Sequence, residues 1–145
     1  MAKYANGKFT IKNAEKYIGK KVPTYRSSWE FAFMNFCDNN PAVTQWASES
    51  IQIPYRDPLT GKYTIYVPDF FITYVDKNGA KHAEVVEVKP ASQTLLANVG
   101  KSVYNQQQYI KNMAKWEAAT KWCKQQGIKF RVVNEEHIFH QGSKR

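Results

Sequence analysis

Between Phe70 and Lys89 the chain spells two apolar, β-branched runs, F70-F71-I72-T73-Y74-V75 and the segment from Lys81 to Lys89, joined by D76-K77-N78-G79. An Asn-Gly pair between such runs is the strongest short hairpin signal, because both residues accept the positive φ that tight turns demand. The pair commits this stretch to antiparallel strands. It also draws the flanks of the hairpin together, with Pro68-Asp69 at one end and Glu87-Val88-Lys89 at the other. Symmetric counting about the turn sets position 69 against position 88, one residue from Glu87, and a bulge at Pro68 would supply the adjustment. Side chains alternate faces along a strand. Glu87 and Lys89 therefore point the same way, ~6.6 Å apart, while Val86 and Val88 point into a core.

The remaining elements fit around that hairpin. S27-S28-W29-E30 has the form of a capping box, with Ser27 as N-cap and Glu30 at the third helical position. Trp29, Phe33 and Phe36 then give the helix one apolar face until Asn39-Asn40-Pro41 stops it. Short strands are expected over 43–46, 51–55 and 63–67, with a turn-rich loop over 56–62. Residues 91–101 read as a loop, 103–126 as a long helix stopped by Gly127, 128–133 as a last strand and 134–139 as a short terminal element. This order predicts an α/β or α+β fold, a sheet with helices on its faces. At 145 residues the chain is one domain. Residues 1–24 are a basic N-terminal arm or extension carrying Lys3, Lys8, Lys12, Lys16, Lys20 and Lys21, either an arm that lies on DNA or a disordered terminus.

Twenty-one Lys and Arg against twelve Asp and Glu give a formal charge of +9. Such an excess suits a polyanion, since each neutralised phosphate releases condensed counterions. No apolar stretch approaches the ~20 residues of a membrane span, and the charged start lacks the apolar centre of a secretory signal. Cys37 and Cys123 are far apart in helical segments, so a disulfide scaffold is not expected and a reducing compartment is. No phosphate-cradling GxxxxGK[ST] occurs, which leaves an ATPase without support. His137 and His140 stand three residues apart without paired cysteines, which argues against zinc.

Two carboxylates brought together repel, and proton or cation must relieve them. Mg²⁺ takes oxygen ligands and keeps waters; bound there it would polarise a phosphodiester and acidify an attacking water. Lys89 would orient that water or stabilise charge on the phosphorus. Each residue also has a plain structural role open to it. Asp69 can begin a turn, Glu87 and Lys89 can form a surface ion pair, and Glu30 can be only a cap. Glu84 lies on the opposite strand face from Glu87. Lys115, Gln125 and Glu136 are surface positions first, with contact to the site or to DNA as the alternative.

The strings Y25-R26-S27-S28-W29-E30, I53-P54-Y55, Y66-V67-P68-D69-F70 and E84-V85-V86-E87-V88-K89-P90 together resemble the PD-(D/E)XK nuclease superfamily. Within it the chain is most similar to the head-completion nucleases of T-even-type tailed phages, and also to TnsA-type transposon endonucleases, over residues 22–139. The resemblance implies a restriction-endonuclease-like mixed central β-sheet flanked by helices. It makes Glu30 the helix acid, Asp69 and Glu87 the metal ligands, Lys89 the catalytic lysine and the Val88 carbonyl a further metal contact. It implies Mg²⁺ as cofactor, with Mn²⁺ as substitute, and DNA as substrate for endonuclease cutting, with exonuclease action as a further option. Action in phage head completion and head–tail joining follows, with portal or neck proteins as partners and the host cytoplasm or the virion as location. The alternatives are a non-catalytic DNA- or portal-binding head or neck protein, and a transposon- or repair-type endonuclease.

Overall fold

The computed structural model describes residues 6–90, 100 and 102–134. Its centre is a four-stranded mixed sheet. Strand β3 (Val43–Ser48) pairs antiparallel with β6 (Phe70–Val75), β6 pairs antiparallel with β7 (Lys81–Val88), and β7 pairs parallel with β8 (Lys129–Val133). Helix α2 (Val103–Gln126) makes the crossover that a parallel pair requires. Two small ribbons flank this sheet: β1 (Gly7–Lys8) with β2 (Thr24–Tyr25), and β4 (Ile53–Arg56) with β5 (Tyr63–Tyr66). Helix α1 (Ser28–Asn39) completes the fold, which is the mixed sheet flanked by helices that the sequence implied.

The hairpin at the heart of the sheet closes one residue away from the symmetric count. Three residues, Lys77 to Gly79, form the loop. The Asp76 N–H donates to the Ala80 carbonyl at 2.9 Å, and the Gly79 N–H donates to the Asp76 carbonyl at 2.9 Å. The Asp76 carboxylate also accepts the N–H groups of Asn78 and Ala80. Gly79 sits at φ +81°, a left-handed geometry that glycine adopts without a Cβ penalty. The strands therefore begin at Val75 opposite Lys81 and run to Phe70 opposite Val86. Extended by one step, that register puts Asp69 directly opposite Glu87 rather than Val88. No bulge at Pro68 is needed; Pro68 is buried in the link between β5 and β6, outside any ladder.

Even-numbered residues of β6 and β7 face α1. Phe70, Ile72, Val86 and Val88 pack there against Phe33, Met34 and Cys37, with Trp46 from β3 and Val133 from β8. The buried stripe of α1 is thus Phe33, Met34 and Cys37, while Trp29 and Phe36 pack at its edges. Phe9 enters the same core, and the chain around it is tied to α1 by the buried Asp38, whose carboxylate accepts the N–H groups of Lys12 and Asn13. A second cluster joins Ile53, Tyr55 and Tyr66 of the β4–β5 ribbon to Ala119 of α2, with Trp116 and Trp122 against it. Cys37 and Cys123 are free and buried. Among the described residues no helix is long and apolar enough to cross a membrane.

Candidate active site

The site lies at the end of the β6–β7 hairpin remote from its turn. There the backbone ladder stops, because Pro68 has no N–H and the chain turns away towards β5. Side chains take over the free edges of the two strands. The Asp69 N–H donates to Glu87 Oε1 at 3.3 Å, and Asp69 Oδ2 accepts the Val88 N–H at 2.8 Å. Each acid is therefore held by the strand that carries the other. Val88 N–H and C=O lie on the same side of β7, so the Val88 carbonyl also faces the Asp69 side, while the next N–H, that of Lys89, donates across to Val133.

Glu87 is 6% exposed. Its Oε1 accepts a second hydrogen bond, from the Tyr66 hydroxyl at 2.7 Å. Its Oε2 lies 3.8 Å from Lys89 Nζ, so the same-face spacing of Glu87 and Lys89 is realised. Tyr66 ends β5, where alternation turns it inward while Tyr63 and Ile65 remain exposed. Nothing in the sequence singled out Tyr66 as a partner of the acids; the inward phase of Y63-T64-I65-Y66 was the available signal.

Glu30 stands at the third position of α1. Its N–H donates to Ser27 Oγ at 3.1 Å, the expected cap, but its carboxylate accepts the N–H of Arg26 at 2.9 Å rather than that of Ser27. The first turn of α1 is thereby set over the end of the sheet, close enough for Glu30 to disfavour the charge on Asp69 and to feel Lys89. Arg26 and Lys21 are held in turn by Glu49, at 2.8 and 3.2 Å. Glu49 follows β3, donates its N–H to the Asp69 carbonyl at 2.9 Å and sits at φ +49°, a strained geometry for a residue with a Cβ. The sequence carried no sign of it.

Burial is the first cause that pushes up the pKa values of all three acids. Asp69 is raised well above the usual aspartate range by burial, then by the charges of Glu87 and Glu30. Glu87 is raised by burial, against the opposing pull of Lys89, Tyr66 and Lys115. Glu30 is raised by burial, offset in part by Arg26. The same neighbours push the Tyr66 hydroxyl up, first by burial and then by Glu87, so it stays a donor. A pair of abutting carboxylates that resist ionisation is a donor set suited to a divalent cation, whose charge removes the repulsion. Among the described residues no three His, Cys, Asp or Glu side chains gather as a metal cluster. Two carboxylates with a backbone carbonyl leave the remaining positions to water and substrate oxygens, the habit of Mg²⁺.

The other sequence candidates are dispersed. Glu84 points to the α1 face, where Tyr74 and Arg131 bind it at 2.6 and 2.9 Å. Gln125 is exposed in the last turn of α2, which leads to the far end of the sheet. Lys115 does approach the site, its amine 5.7 Å from the centre of the Tyr66 ring. Glu136, His137 and His140 lie outside the described residues.

Comparison with known proteins points the same way as this geometry. The family of TnsA-like endonuclease N-terminal domains matches residues 40–135. The head completion nuclease of Enterobacteria phage T4 is 33% identical over 144 residues, covering 92% of this chain and 93% of that protein. With Pro68-Asp69 and Glu87-Val88-Lys89 at one end of a mixed sheet, the chain belongs to the PD-(D/E)XK nucleases, in the TnsA-like endonuclease family.

Proposed function

We propose that this protein is a Mg²⁺-dependent DNA endonuclease that acts in phage head completion and head–tail joining, with Mn²⁺ able to replace Mg²⁺. The observation that carries the proposal is the interlock of Asp69 and Glu87, each hydrogen-bonded to the other's strand, with Lys89 3.8 Å from Glu87. Asp69, Glu87 and the Val88 carbonyl would hold the ion. A bound divalent cation supplies charge to the phosphoryl oxygens and acidifies a water.

The protein's own groups do the rest. Tyr66 and the Asp69 N–H occupy Glu87 Oε1, which leaves Oε2 as the oxygen presented beside Lys89. The Lys89 ammonium orients the attacking water and stabilises negative charge as it builds on the phosphorus oxygens. Glu30 brings a third acid to the rim of the site from α1. The head-completion role rests on the likeness to the phage T4 protein, whose name states it. It implies work in the host cytoplasm on packaged DNA, beside portal or neck proteins.

Supercoiled plasmid incubated with the protein and Mg²⁺ should be converted to nicked and then linear forms, and EDTA should stop the conversion. Asp69→Ala should be inactive, and Lys89→Ala should lose about 10²–10³ in rate, the usual loss for a group that stabilises transition-state charge. Equal nicking in EDTA, or undiminished nicking by Asp69→Ala, overturns the proposal.

A further inference from the structure

Among the described residues, Arg26, Lys89 and Lys115 act on the acids, with Lys21 and Lys111 beside them, and all but Lys115 have a carboxylate in contact. Lys21 and Arg26 share Glu49, Lys89 lies 3.8 Å from Glu87, and Lys111 lies 3.9 Å from Asp57. Lys115 is the exception: among the described residues no carboxylate oxygen comes within ion-pair distance of its amine. It is also half-buried, so its charge has lost part of its water without a carboxylate in contact; Glu87 and Asp57 attract it only from beyond ion-pair distance. Its position is fixed. The stem rises from α2 and the amine is set over the face of Tyr66, whose hydroxyl binds Glu87. Burial and then the like charges of Lys89 and Lys111 lower its pKa, against the opposing attraction of Glu87 and Asp57.

A part-desolvated ammonium with no carboxylate in contact, held beside the acids of a hydrolytic site, is placed to take an anion from outside the protein. We infer that Lys115 binds a backbone phosphate of the DNA substrate, next to the phosphate being cut, and so anchors the strand against α2. The inference rests on the nuclease reading for the identity of the anion. It assigns a substrate-binding role to a residue of α2, outside the hairpin that carries the acids. The track continues along the helix. Lys111 is one turn before Lys115, and Gln108 and the exposed Tyr104 extend the same face towards the N-terminus of α2. Lys115 lies midway along α2, so this face runs on past the site towards the N-terminus of the helix.

The test is equilibrium binding of a short DNA duplex in EDTA, where nothing is cut, measured over a range of salt. The proteins are the parent, Lys115→Gln, Lys115→Met and Lys115→Arg, with Lys77→Gln at the remote hairpin turn as control. Loss of one phosphate contact should lower the slope of log K against log salt by about 0.9 and weaken binding about tenfold at ~0.1 M salt. Lys115→Gln and Lys115→Met should both show this. Lys115→Met keeps an unbranched stem over Tyr66, so a shared loss is assignable to charge. Lys115→Arg should restore the slope, and Lys77→Gln should leave it unchanged. If Lys115→Met binds with the parent's slope and affinity, the assignment is overturned. A parent protein that binds DNA but cuts none with Mg²⁺ would defeat the nuclease reading while leaving the Lys115 measurement to stand by itself.

Discussion

Asp69 and Glu87 meet in a geometry that opposes their own ionisation, and this has two measurable results of opposite sign. The folded protein holds a proton on Asp69 more tightly than the unfolded chain does, because burial and two neighbouring carboxylates raise its pKa. Without metal, the wild type should therefore gain stability as pH falls from neutrality towards the unfolded aspartate pKa, and be penalised above it. Asp69→Asn, which can still accept the Val88 N–H, should melt a few degrees higher than wild type at pH 7 in EDTA, the response expected for about 1 kcal/mol in a domain this size. That gain should shrink as pH falls, and thermal melts at several pH values check it. Cleavage should follow the reverse course, falling as acid protonates the pair, with added Mg²⁺ moving the acid limb to lower pH. Tyr66→Phe leaves the fold and removes the 2.7 Å bond that fixes Glu87. The concentration of Mg²⁺ needed for half-maximal cutting should then rise about 10–100-fold, the usual effect of losing a partner behind a metal ligand. Glu30, Asp69, Glu87 and Lys89 were legible as candidates because strand alternation and motif spacing are local. Tyr66 and Glu49 reach the acids only through tertiary placement, which spacing does not encode.

At the scale of elements, the caps and turns were the most legible. Ser27 starts α1, Gly127 ends α2 at φ +75°, and the two hairpins turn at 57–62 and 77–79. The one-residue difference at the central hairpin arises because a three-residue loop with a left-handed glycine replaced the two-residue turn that an Asn-Gly pair suggests. That shift is what puts Asp69 directly across from Glu87. The apolar face of α1 also lies one position round from its periodic reading. Phe33, Met34 and Cys37 meet the sheet, since the helix axis is set by packing and not by its own pattern. Phe9 was hidden because a single aromatic in a lysine-rich stretch has no period to reveal it. Ser27→Ala should destabilise the protein by about 1 kcal/mol, and Ser27→Asp should recover most of it, as N-caps do. Because the same turn carries Glu30, the Ser27→Ala enzyme should also cut more slowly per folded molecule, checked by pairing denaturant melts with plasmid cleavage below the transition.

For the molecule as a whole, two apolar clusters pack against the sheet, and a chain of formal charge +9 gathers a small set of opposed acids at one end of it. The acids destabilise the metal-free protein, and an ion that binds only the folded state should return that stability. At a Mg²⁺ concentration one hundred times its dissociation constant the gain is about 2.7 kcal/mol. Mg²⁺ should accordingly raise the melting temperature of wild type, leave Asp69→Asn unmoved and reverse their order of stability, as calorimetry with and without the ion would record. The most direct test of the central claim is anomalous diffraction from crystals soaked in Mn²⁺. A peak about 2.0–2.3 Å from an oxygen of Asp69 and from one of Glu87 is the predicted result. No peak at that position in fully soaked crystals, or a peak bound to other residues alone, contradicts it.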